Sequence, residues 1–430
     1  MFRLVRWSAR KTLRAFAMLF AGSILLASCS PSSGSERDVI RVQVSGEAEE
    51  IAVYDALVTA FEKENPEIDV ELVPVTDKDD HLAKLTTSFS NGTPPDVFLI
   101  NFREYSQYVA RGAVDAVEPF MDEHGVDQAD YYDQPMEAFT YEDELQCMPQ
   151  NISSLVVYYN SKLLDEAGLE RPPGDWDWDD FRNYAVELTT GRERGLGIEP
   201  NVIRLAPFVW SHGGELTDDA DDPRRFTLDE AASREALEYT VSLVRDDGVV
   251  PTEEEIAAQD LETRFAAGRL GMLLSSRREV PAFREVAGLH FDVAPLPTSR
   301  EPAGILHSDA YCMAAGAPSP DEAYEFVRFA TGKRGQTITA LGGRTVPSLI
   351  EVAESGAFLD PTQEPRHSEV FLDGVEAIRR TPVIPTWPEI EDEAEEVLTR
   401  VFYEDGYTVD DGLRELEEAT GSLFEEGSGG

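Results

Sequence analysis

Residues 92–100 read GTPPDVFLI, and this stretch decides the fold. Asn91-Gly92 closes a helix, and Thr93-Pro94-Pro95-Asp96 cannot continue one, because proline fixes φ and lacks an amide donor. Val97-Phe98-Leu99-Ile100 then runs apolar without alternation. Such a run suits a strand covered on both faces, as in parallel sheets. Upstream, Ile40-Arg41-Val42-Gln43-Val44 alternates, as do Ile68, Val70 and Leu72 with Glu67, Asp69 and Glu71, which predicts two more strands. Ile51, Tyr54, Leu57, Val58 and Phe61 recur at helical spacing and stop before Asn65-Pro66. Leu82, Leu85 and Phe89 mark a second helix. This βαβαβ order predicts a layered α/β lobe.

The rhythm continues downstream. Leu155–Tyr159 reads as a strand, Ser161–Ala167 as a short helix ended by Gly168, and Gly271–Leu274 as a short buried strand. Asp177 is placed to cap a helix beginning at Trp178, with Asp180 at its third position. Further helices are expected over Ser233–Asp246, over Pro320–Ala330 and through the acidic C-terminal stretch.

The chain has 430 residues, 42% of them apolar, enough for two domains with cores of their own. Lys and Arg total 37 against 83 Asp and Glu, a formal charge of −46. That excess argues against a nucleic-acid partner, which needs basic patches, and against adhesion through a polybasic face. Aromatic content of 9% argues against a disordered acidic chain. Lys occurs only at positions 11, 63, 78, 84, 162 and 333. An acidic, Lys-poor surface suits a salty medium; a compositional bias of the genome accounts for it equally.

The N-terminus has the form of a secretory leader. Arg3, Arg6, Arg10, Lys11 and Arg14 precede an apolar run from Ala15 to Ala27, too short to span a bilayer. The run ends Leu26-Ala27-Ser28-Cys29, which resembles the bacterial lipobox. That resemblance implies a leader over 1–28, lipid on Cys29, secretion through the general route and a tether over 29–38. An ordinary secreted protein with a chance cysteine is the alternative.

Motifs for catalysis are missing. The six His show no His-x-x-x-His spacing, and there is no Gly-x-Ser-x-Gly elbow or phosphate-binding Gly-x-x-x-x-Gly-Lys loop. Gly195-x-Gly197 meets Pro200 where a dinucleotide fingerprint needs a third glycine. With so many acids, a random carboxylate pair carries no weight as a glycosidase signal. No metal or cofactor is expected.

Five stretches in order carry a resemblance. They are Glu49–Pro66, Gly92–Ile100, Met148–Gly168, Pro172–Leu188 and Phe265–Met272 (FAAGRLGM). Together they resemble the extracellular solute-binding proteins of carbohydrate-type ABC importers, the group that includes maltose-binding protein. Two departures stand out: Ser161 intervenes before Lys162, and Trp176 is extra before the helix start. The resemblance implies a two-lobed, type II periplasmic-binding-protein-like α/β fold. Lobe one would be 38–147 plus 311–365, and lobe two 150–308 plus 366–425. Leu145–Pro149 and Ala310–Ala314 would be hinge strands. Cys147 and Cys312 both fall there, which the resemblance makes a candidate disulfide, with two separate buried thiols as the equal alternative.

A sugar presents hydroxyls and an apolar ring face, so its site needs aromatic plates and fixed polar partners. Candidates are sought after strands and in hinge loops. Ser45 and Glu47 follow the first strand, where they either meet ligand or cap a helix. Asn101 and Arg103 follow the apolar strand, Asn151 the crossover, and Ser275 and Arg277 the buried strand. Asp309 and Tyr311 flank the second hinge strand. Trp210 beside His212-Gly213-Gly214 is the best stacking candidate; Trp178 reads as core. Arg344 lies in the Gly342-Gly343-Arg344 turn and Trp387 in a Pro-rich loop.

These features imply a monomeric, lipid-anchored receptor, not an enzyme, that captures a sugar or oligosaccharide. It would deliver this ligand to permease subunits driven by a separate ATPase. The alternatives are a secreted carbohydrate-active enzyme, a receptor for a non-sugar solute, and a binding module that senses without transport.

Overall fold

The computed structural model describes residues 38–191 and 193–427. The leader, Cys29 and the tether up to residue 37 lie outside the described residues.

Two sheets organise the molecule. The first runs in the order Ile68–Val75, Asp38–Ser45, Val97–Asn101, Asp309–Ala314, Val114–Asp115, with Cys147–Pro149 also paired to Asp309–Ala314. The three N-terminal strands are parallel, as their helical connections require. Helix Ala48–Glu64 buries Tyr54, Leu57 and Phe61 against them. Strand Asp309–Ala314 arrives antiparallel, placing Asp309 opposite Asn101 and Cys312 opposite Phe98. On its other side Cys312 faces Cys147, and the two are joined as a disulfide.

The second sheet runs Phe291–Ala294, Val156–Asn160, Leu270–Ser275, Arg194–Gly197. Its side chains alternate faces as the pleat requires. Val156, Tyr158, Leu273 and Phe291 face one way, into a core continuous with that of the first sheet. Val157, Tyr159, Met272 and Leu274 face the other way, towards Trp176, Trp210 and Trp387. Asp177 and Asp180 form the expected capping box on helix Trp178–Leu188.

Gly195 and Gly197 serve close packing. A Cβ at Gly195 would lie 1.8 Å from the Ala185 carbonyl oxygen, and one at Gly197 2.6 Å from a Leu270 methyl.

The first hinge stretch differs from its expected form. Glu144–Leu145 folds back on Thr140–Tyr141 as a hairpin, and a separate strand starts at Cys147. The turn residues Glu142 and Asp143 both have positive φ, 51° and 63°. Type I′ hairpins need this geometry at both central positions and favour Asn-Gly, so Glu-Asp gave no turn signal. Trp387 also differs: it opens helix Trp387–Tyr403 instead of lying in a loop.

Candidate functional site

A cleft of about 430 Å³ opens where the two sheets meet. Parallel strands expose their carboxyl ends on one edge, the usual place for ligands in α/β sheets. Strand Asp38–Ser45 delivers Ser45 and Glu47 there; strand Val97–Asn101 delivers Asn101 and then Arg103. Asp309 reaches the same edge because its strand runs the opposite way. Asn151 and His307 come from the two chain crossings between the sheets. The second sheet's side contributes Glu199, Asn201 and Arg204 around the start of helix Val202–Ser211, and Ser276 and Arg278 after strand Leu270–Ser275.

A hydrogen-bond chain fixes the floor. Asn101 Nδ2 donates to Asp309 Oδ1 at 3.1 Å, and the Asp309 amide donates to Asn151 Oδ1 at 2.8 Å. Arg103 Nε donates to Asn101 Oδ1 at 3.2 Å and its Nη1 to Glu391 Oε2 at 3.3 Å. Trp387 Nε1 donates to the other Glu391 oxygen at 2.7 Å. The chain thus links helix Trp387–Tyr403, whose buried face packs with the second sheet, to the first sheet's edge.

Charge is paired within the cleft. Arg344 Nε lies 2.7 Å from Glu50 Oε2, and Tyr54 donates to Glu50 Oε1 at 2.9 Å. Burial raises the Glu50 carboxyl to about 7, against the opposing pull of Arg344 and Tyr54. Lys78 pairs with Glu104 at 2.8 Å. His81 is buried, with Nε2 2.9 Å from the Leu99 carbonyl, so Nε2 carries the proton and Nδ1 accepts from Gln43. Burial holds its pKa below the usual value.

Seven of the residues singled out from sequence line this cleft: Ser45, Glu47, Asn101, Arg103, Asn151, Asp309 and Arg344. Five are placed elsewhere. Trp210 is buried in the second core with the Arg379 guanidinium 4.8 Å from its ring centroid. Trp387 is fully buried in the same core. Tyr311 faces into the first core. Ser275 is buried and donates to Glu279. Arg277 is sandwiched between Phe358 and Phe371 and donates to the Gly343 carbonyl and Ser368. The reason is one of phase: Ser276 and Arg278, one position along, are the residues turned to the cleft. Trp178 lies outside it too, stacked on Tyr239 and His212. Among the described residues, no Trp, Tyr or Phe lines the cleft.

Sequence reasoning missed Arg204, Ser276, Arg278 and His307. The signal for Arg204 was available: Asn201 is a capping residue, and its side chain accepts from the Arg204 amide at 3.0 Å.

Comparisons with known proteins agree with this architecture. Residues 56–364 match the family model described as bacterial extracellular solute-binding protein. A binding protein of Brucella abortus is 24% identical over 398 residues, covering 90% of this chain and 93% of the relative. The galactooligosaccharide-binding protein of Bacillus subtilis is 23% identical, covering 91% and 92%. An ABC substrate-binding protein from Listeria monocytogenes, solved in complex with cycloalternan, superposes with a TM-score of 0.81 at 21% identity, covering 91% of this chain and 99% of that one. The fold is the two-lobed α/β fold of periplasmic binding proteins, and the family is one of receptors. The chain belongs to the bacterial extracellular solute-binding proteins.

Proposed function

We propose that this chain is a lipid-anchored extracytoplasmic receptor that captures a sugar or oligosaccharide between its lobes. It passes the ligand to an ABC permease powered by a separate ATPase. The observation that carries the reading is the polar cleft itself, lined from both sheets by hydrogen-bonding side chains. The galactooligosaccharide-binding and cycloalternan-bound relatives support a saccharide as the ligand class. We assign lobe one to 38–147 plus 311–365 and lobe two to 150–308 plus 366–425, with Cys29 as the anchor and the monomer as the working unit. Closure on ligand selects among open and closed states already present.

A thermal-shift panel of saccharides tests this. Binding to the native state adds about 2.7 kcal/mol at a hundredfold excess over Kd, so a true ligand raises Tm. A flat response to every sugar, with a rise on adding an amine, a peptide or a metal complex, would defeat the saccharide assignment.

A further inference from the structure

Among the described residues the cleft has no aromatic plate, yet it brings guanidinium groups together from both sheets. We propose that the ligand is an acidic saccharide whose carboxylate or phosphate seats against Arg103, Arg204, Arg278 and His307. Its hydroxyls meet the carboxylates at the first sheet's edge. This rests on reading the chain as a saccharide receptor.

The donors are arranged from two sides. Arg103 stands in the first turn of helix Phe102–Val109 and Arg204 in the first turn of helix Val202–Ser211. Both helix starts border the cleft, where the helix dipole favours negative charge, while the Arg103 and Arg204 amides themselves are capped by Asn101 and Asn201. Arg204 is only 7% exposed, and its Nε is buried with no hydrogen-bond partner. His307 Nε2 is likewise buried and unpartnered. Buried polar groups are nearly always satisfied, so these two orphan donors, beside Glu50 Oε2 and Thr345 Oγ1, which also lack a hydrogen bond in the same cleft, point to a partner that arrives with the ligand. Burial first, then the charges of Arg103, Arg204 and Arg278, keep His307 neutral, able to carry its proton on Nε2 and donate it.

Carboxylates tether the guanidinium groups: Glu391 holds Arg103 at 3.3 Å, Glu199 holds Arg204 at 2.8 Å and Glu279 holds Arg278 at 2.5 Å. They cancel the net charge, so selectivity comes from donor geometry, not from a long-range field. Each guanidinium has five N–H donors and no acceptor. A hydroxyl offers one oxygen and a proton that these groups cannot accept. A carboxylate or phosphate offers only acceptors, spaced to match the guanidinium fork.

The test titrates the secreted chain calorimetrically with digalacturonate, with glucose 6-phosphate and with neutral lactose. The proposal expects a one-to-one isotherm with the uronate or the sugar phosphate, the responding probe telling carboxylate from phosphate. Affinity should fall at least tenfold in Arg278→Gln, and in Arg204→Gln if that buried variant folds. Binding of lactose alone overturns the proposal and leaves the saccharide receptor standing. Binding of an acidic probe unchanged in Arg278→Gln also overturns it. Silence with all three probes, and with the wider saccharide panel, overturns both readings.

Discussion

On the first sheet's side of the cleft, Ser45, Asn101 and Asp309 stand at strand ends, and hydrogen bonds join Asn101, Asp309 and Asn151. The strands beneath them are cross-linked through Cys147 and Cys312. On the second sheet's side, the cleft is bordered by long side chains, Arg204 and Arg278, that rise from a helix start and a turn and lean on carboxylates. The contrast teaches that one side is a floor fixed by a hydrogen-bond chain, while the other presents long donor side chains held by ion pairs.

The largest expected effect comes from the cross-link. It closes a loop of 165 residues, so Cys147→Ser with Cys312→Ser should lower stability by about 5 kcal/mol on the chain-entropy account. Denaturant titration measures the loss. Hydrogen exchange should then show first-sheet amides opening before those of the second sheet; the reverse order would break the comparison.

Neighbouring arginines sharpen it next. Arg277 is buried and bonded on several sides, so Arg277→Ala should cost about 3 kcal/mol or more. Arg278→Ala, at a side chain 53% exposed, should cost less, on the order of 1 kcal/mol for the Glu279 carboxylate left without its cation, while weakening ligand binding. Equal losses in urea melts would erase the distinction between core and cleft. Trp387→Ala belongs with Arg277, at about 3–5 kcal/mol.

Glu50 gives a pH-dependent effect. Its folded pKa of about 7 lies above the ordinary 4.5, so the folded state holds a proton that the unfolded state releases. Stability from this group is therefore full below pH 4.5, falls as pH rises through 7, and is flat above. The span is on the order of 3 kcal/mol. Glu50→Gln should remove that slope in melts between pH 4.5 and 7.5. The lowered pKa values of His81 and His307 act in the opposite sense, with stability lost as pH falls below their ordinary 6.5, and that limb should survive the substitution.

The smallest effect concerns the link across the cleft. Glu391→Gln weakens the contact to Arg103, and a stability loss of about 1 kcal/mol or less is expected, because both side chains keep some solvent access. Its larger readout is ligand affinity, which should drop if Glu391 orients Arg103.

Much of the first sheet was legible because its strands obey simple periodicity: alternation in Ile40–Val44 and an unbroken apolar run in Val97–Ile100. Residues following such strands fell on the cleft edge. The second side was harder. Strand Leu270–Ser275 is buried along its whole length, so nothing in its pattern told Ser275 from Ser276 or Arg277 from Arg278. Trp210 and Trp387 were attractive as stacking plates, but a large apolar ring is also the cheapest way to fill a core, and both do that. The hairpin at Glu142-Asp143 lacked the Asn-Gly or Asp-Gly pair that would have revealed it.

The most direct measurement is a calorimetric titration of the wild-type chain and Arg278→Gln with a saccharide that raises Tm, with the ligand recovered afterwards by mass spectrometry. The account predicts one site, at least tenfold weaker binding in the variant, and a ligand returned unaltered. Unchanged affinity in the variant, or a chemically converted ligand, would contradict it.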